Sequence, residues 1–217
     1  DFDMQRISQR INIILNIRTE GDIKKEDLLP PIIELSGACG HFNISEACLD
    51  TTRLYRMVHQ AQPDEFTQTG ENTYRCVVHF HTLGVIPSAA KGHLNGPGIL
   101  QVALQVSANR LDASGAPVLD QDGKPVKNSR YIYGAINPYD ELIAAQLIEV
   151  RDGKTYLRYS KDDVNIEITS PLVIKADQIV SDDTGMGWQP NDPTNPDDDI
   201  IIEIRSEEHT SELQSRQ

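Results

Sequence analysis

Residues Ile99 to Ala108 alternate without a break: Leu100, Val102, Leu104 and Val106 fall on one side, and Gln101, Ala103, Gln105 and Ser107 on the other. A period of two in apolar character predicts a strand with one buried face and one solvated face. Such a strand is stable only where neighbouring strands complete its hydrogen bonds and something covers its apolar side. The chain must therefore build a sheet around these residues.

The flanking sequence divides by period. Arg10 to Arg18, with Ile11, Ile13, Ile14, Leu15 and Ile17, predicts a strand, and Gly21-Asp22 a turn after it. Asp22 to Ser36 places Leu28, Leu29, Ile32, Ile33 and Leu35 at helical spacing, with a break or restart at Pro30-Pro31. Ser45 is positioned to cap a second helix from Glu46 to about Ala61, with Leu49, Leu54, Met57, Val58 and Ala61 on one face. Thr73 to His81 predicts a strand, and Leu83 to Leu94 a broken strand or hairpin. Short strands are expected at Tyr131–Ile136, Leu142–Val150, Thr155–Tyr159, Val164–Ile168 and Leu172–Ile174, with a tight hairpin turn at Asp152-Gly153.

These elements predict an α+β chain: a two-helix plus β-meander domain over 1–111, a linker or exposed hairpin over 112–130, a small β-sandwich-like module over 131–180, and an acidic Pro/Asp-rich linker over 181–204. Residues 205–217 read as one frame of a common sequencing adapter, are set aside, and are expected to add nothing to the fold. The sequence begins at Asp1 without a methionine, and both natural ends are expected to lie outside it.

Charge is uneven. Residues 1–111 hold ten Lys/Arg against twelve Asp/Glu, a net of −2, whereas 112–204 hold eight against eighteen, a net of −10. The second half should repel phosphate, so any nucleic-acid contact belongs to the first. No apolar run approaches the ~18 residues that cross a bilayer, and no membrane partner is expected. Cys39, Cys48 and Cys76 form no even framework, which favours a reducing, cytoplasmic setting.

Three groups could carry chemistry. His79 and His81 share one strand face near Cys76, as paired imidazole ligands would, but no acidic ligand follows over Leu83 to Ile86. Asp120-Gln121-Asp122-Gly123 opens like a calcium loop, but Lys124, Lys127 and Asn128 stand where oxygen ligands belong, so an Asp-Gly turn is expected. Cys39-Gly40-His41 sets a thiol beside an imidazole only in sequence. The Asp197–Asp199 run reads as solvated linker. No nucleophile elbow, phosphate loop or dinucleotide fingerprint is present. A non-enzymatic chain without metal or cofactor is the expectation.

Between residues 18 and 111 several words stand in order: Glu20-Gly21-Asp22-Ile23-Lys24-Lys25-Glu26-Asp27-Leu28, Ile44-Ser45-Glu46-Ala47, Leu83-Gly84-Val85, Lys91-Gly92-His93-Leu94-Asn95-Gly96-Pro97 and Asn109-Arg110-Leu111. In this order they resemble the bacterial HU-like DNA-binding proteins, in particular those in which an immunoglobulin-like module follows. The resemblance implies a dimer that reaches into the DNA minor groove with β-arms. By position Lys91, His93, Asn95 and Pro97 would lie at the arm. With Lys91 its only full positive charge, duplex binding should be weak. The leading expectation is thus a binding or architectural protein. A structural or protein-interaction module, such as a phage or surface component, comes second, and a metal-binding protein using His79 and His81 third.

Overall fold

Alternating burial runs through nearly every long element of the protein, and it selects strands where helices are expected. The computed structural model describes residues 8–158, 163–176 and 179, and the backbone of 200–205. Thirteen strands follow in chain order: β1 (Gln9–Glu20), β2 (Ile32–Cys39), β3 (Phe42–Asn43), β4 (Cys48–Leu49), β5 (Leu54–Gln60), β6 (Phe66–Gly70), β7 (Thr73–Thr82), β8 (Leu100–Asn109), β9 (Lys127–Ile136), β10 (Ile148–Arg151), β11 (Lys154–Leu157), β12 (Val164–Lys175) and β13 (Ile200–Arg205). Among the described residues the one α-helix of seven or more residues is α1 (Tyr139–Ala145), between β9 and β10.

These strands make three sheets, in the orders β12-β1-β7-β6, β13-β9-β8-β2-β5 and β10-β11-β4-β3. In β1 the residues Ile11, Ile13, Leu15 and Ile17 point inward and are buried, while Arg10, Asn12, Asn16 and Arg18 face outward. In β8 Leu100, Val102, Leu104 and Val106 do the same from the second sheet, and both sets belong to one core with Ile33, Leu35 and Ile132. The first two sheets therefore face each other across a shared apolar layer, and this β-rich arrangement is compatible with an immunoglobulin-like module. The strand β12 runs parallel to β1, with Ile13 between Ile166 and Val78.

The expected α+β class is corrected by this architecture. The helix expected over Asp22 to Ser36 is a single 3₁₀ turn (Lys25–Asp27) followed by β2. Pro30-Pro31 supplies no N–H groups and holds Leu29 extended. Beyond it, Ile33 and Leu35 are buried by alternation with Ile32, Glu34 and Ser36. The helix expected from Glu46 to Ala61 is instead a turn, β4 and β5. Asp50 captures the Thr52 N–H and hydroxyl (2.9 and 2.6 Å), a local turn that competes with helix, and Thr51-Thr52 adds β-branching. The strand expected over Leu142 to Val150 is partly α1, which starts after Pro138 with Asp140 and Glu141 in its first turn.

The HU-like resemblance falls with the helices. That fold is helix-rich, and neither of its two helices exists here. Nor does the segment 83–98 form a two-stranded arm. Apart from a bridge between Val85 and Ala38 it is loop, held down by Asn137, whose side-chain amide donates to Ser88 Oγ, Ala90 O and His93 O (each 2.9 Å).

The turn expected at Asp152-Gly153 joins β10 to β11, with both residues at positive φ (51° and 73°). Residues 110–126 contain a tandem repeat, Leu-Asp-x-x-Gly-x-Pro-Val, at Leu111–Val118 and again at Leu119–Val126. Each Asp side chain accepts backbone N–H bonds from the residues two and four positions on. Arg110, Val118 and Val126 close a cycle of three backbone hydrogen bonds (2.8 Å each). Asp120 is thus engaged by its own turn. Of the linker expected over 181–204, residues 181–199 with the Asp197–Asp199 run lie outside the described residues, while Ile200–Ile204 belong to β13. Of the tail expected to add nothing to the fold, 206–217 lie outside them too. Arg205 ends β13, opposite Tyr131. No helix among the described residues is long and apolar enough to cross a membrane.

Candidate functional site

The third sheet builds a cleft whose grouping of side chains no sequence motif specifies. A four-residue turn joins β3 to β4, pairing Asn43 with Cys48 and Phe42 with Leu49, and Thr155 of β11 pairs with Leu49. Paired residues share a face. Phe42, Leu49 and Leu157 therefore turn inward onto a small core with Cys39. The opposite face opens a cleft of about 350 Å³ lined by residues that include His41, Glu46, Cys48, Asp50 and Lys154.

Each ionisable side chain in the cleft has a partner. Lys154 Nζ lies 3.0 Å from Glu46 Oε1, and the Cys48 thiol donates to Glu46 Oε2 (3.6 Å). The hydrogen bond from Lys154 holds the Glu46 carboxyl below its ordinary range, and the same bond raises Lys154. The pair therefore favours the folded state above the ordinary carboxyl range and loses that contribution as pH falls through the lowered Glu46 value. Hydrogen bonds from Thr52 hold Asp50 low. At the rim Tyr55 of β5 packs over Gly40 and its hydroxyl lies 3.1 Å from His41 Nδ1.

None of the three thiols is poised for nucleophilic chemistry. Burial pushes Cys39 up to about 11 and Cys76 up to about 12, and burial together with the Glu46 carboxylate raises Cys48. A raised thiol is a poor nucleophile near neutral pH. The native protein should accordingly leave all three cysteines unmodified by a thiol reagent at pH 8, whereas denaturant should release all three together. One thiol reacting in the native state at the rate of free cysteine would mean that its side chain is not buried as described.

Apart from His41, the residues singled out in the sequence for chemistry or DNA contact lie elsewhere and are not brought together. Lys91 forms an ion pair with Asp140 of α1, and His93, Asn95 and Pro97 lie on the loop clamped by Asn137. His79 and His81 do share the outer face of the first sheet, but His79 Nδ1 donates to Asn12 Oδ1 (2.7 Å) and Asn12 in turn donates to Asn165 (2.7 Å). Among the described residues no three His, Cys, Asp or Glu side chains are grouped to hold a metal ion. Cys39 is buried in the small core while His41 lines the cleft.

What the sequence did contain was a faint signal for β3 and β4: Phe42 and Leu49 each stand beside a polar residue, Asn43 and Asp50, on either side of the four-residue turn Ile44–Ala47. Lys154 could not be connected to them by any local pattern. Comparison with protein-family models, with curated proteins and with solved structures finds no match to the chain.

Proposed function

We propose that the protein is a non-enzymatic interaction module that receives a polar side chain of a partner protein in the cleft of the third sheet. The observation that carries this reading is the mutual pairing of the cleft's ionisable groups. Glu46 is held ionised, Lys154 protonated and Cys48 as the thiol. A general acid or base needs a value near the working pH, and these groups are moved away from it. Binding asks for the opposite: fixed charges in fixed positions. Among the side chains that line the cleft two carboxylates, Glu46 and Asp50, stand against one lysine, with Arg53 acting on Asp50 from outside the lining, so the cleft favours a cationic group such as an arginine or lysine side chain.

The test is selection of extended peptides from a random library on the full chain, followed by the same selection on Asp50→Lys. Peptides carrying Arg or Lys should be enriched on the unmodified chain and should bind the variant at least about tenfold more weakly, the scale of a lost charged contact. Absence of any peptide enriched over the Asp50→Lys control would refute the reading.

A further inference from the structure

We propose that two copies of the chain join through β5, antiparallel and about a two-fold axis at Val58. The strand is the outer member of the five-stranded sheet, and its inner neighbour is β2. Hydrogen-bonding directions alternate along a strand. Ala61 N–H bonds Pro31 O, and Ser36 N–H bonds Ile99 O on the far side of β2. By that alternation Met57 and His59 turn their backbone groups toward β2, whereas Arg56, Val58 and Gln60 turn theirs outward. Among the described residues no strand takes up this outward row.

The side chains on β5 do not protect the edge in the ways proteins commonly do. Edges are blunted by prolines, inward-pointing charges, bulges on the strand or very short length. The strand β5 has seven residues, no proline and one permanent charge, Arg56, which Glu34 of β2 already partners at 3.3 Å; its His59 is occupied by Glu65 at 2.7 Å. Leu54, Tyr55 and Val58 are 38%, 44% and 56% exposed.

A second copy fits this edge in one register. Centred on Val58, the pairing sets the two valines face to face and each Arg56 across from the side-chain amide of the partner's Gln60, which can accept its hydrogen bond. A centre at Arg56 would oppose two guanidinium groups, which destabilises a cross-strand pair. A centre at Met57 would set each Arg56 against the partner's Val58. A centre at His59 would carry the pairing into Pro63, which has no N–H to give. The result is one continuous sheet made from the two five-stranded sheets. The joint is short, below the roughly 1,200 Å² of a standard stable interface, so the dimer is weak and concentration-dependent. Tyr55 links β5 to the cleft rim, but Asp50 lies outside the pairing segment, so the Asp50 variant separates this proposal from the cleft reading.

The test is sedimentation of the full chain over roughly 1 µM to 1 mM, the range in which weak association is seen. A monomer–dimer equilibrium is expected. Val58→Lys, which opposes two ammonium groups on the axis, should leave only monomer, and circular dichroism should show it folded because Val58 is exposed. Gln60→Glu should tighten the dimer about two- to thirtyfold through two added Arg–Glu pairs, and Gln60→Arg should weaken it. Asp50→Lys should leave the dimer unchanged. Monomer at every concentration, or a dimer indifferent to both Val58→Lys and the sign of the charge at position 60, would overturn the proposal.

Discussion

Replacing Ile13 by alanine should cost the protein about 2–5 kcal/mol of stability, the range for truncating a fully buried aliphatic side chain. Ile13 is 0% exposed and sits on β1 between Ile166 of β12 and Val78 of β7, both also buried. With a strand hydrogen-bonded on each side, β1 cannot shift to fill the space, so the upper part of that range is expected. In a chain of this length each kcal/mol lowers the melting temperature by about 2–4 °C. Since β1 and β12 lie in one sheet and the core is continuous, urea denaturation should show a single shifted transition. A loss under ~1 kcal/mol would mean that the inner face of β1 is not packed as described.

The second large effect is expected at Gly37. This residue lies in β2 within the register shift between Leu35 and Ala38, with φ +82°, a conformation that residues other than glycine rarely adopt. A Cβ there would stand 2.6 Å from Gly98 N and 2.7 Å from Ile86 O. Both are backbone atoms, and the surroundings are tied by Ile86 N–H to Gly37 O (2.9 Å) and by Gly98 N–H to Ser36 O (3.1 Å). Left-handed backbone costs a non-glycine residue about 1–3 kcal/mol, and relieving the overlap adds to it. Gly37→Ala should therefore destabilise by about 3 kcal/mol or more, whereas Gly92→Ala, with nothing near its Cβ, should cost only the backbone term. Equal melting temperatures for the two variants would show that the 86–98 loop does not press on β2.

Neither effect could be placed from the sequence, although both residues are conspicuous in it. Ile13 reads as buried because Ile11, Ile13, Leu15 and Ile17 alternate, but its partner Ile166 is 153 positions away. The same limit hid the cleft. Glu46 and Cys48 were expected on a helix, because Leu49, Leu54, Met57, Val58 and Ala61 fit a 3.6-residue period about as well as they fit strands. Short apolar runs leave that ambiguity open. Thr51-Thr52, with Asp50 before them, was the local argument against helix. The tandem Leu-Asp-x-x-Gly-x-Pro-Val was also legible, and it specifies the paired turns that join β8 to β9.

By itself the sequence determined the existence of β1, β7, β8, β9, β11 and β12 and the Asp152-Gly153 turn, where apolar alternation or marked ends stood in the sequence. There the pattern and the local backbone preference agree, and nothing distant was needed to choose. Tertiary structure decided the rest. Whether Ile33 and Leu35 lie on a helix or a strand depended on β8 offering hydrogen bonds to β2. Which strand flanks β1 depended on β12, far along the chain. The physical reason is that a strand leaves its backbone groups unsatisfied until another segment arrives, whereas a helix satisfies its own. In a chain made of sheets, the information that completes each element lies in a different part of the sequence.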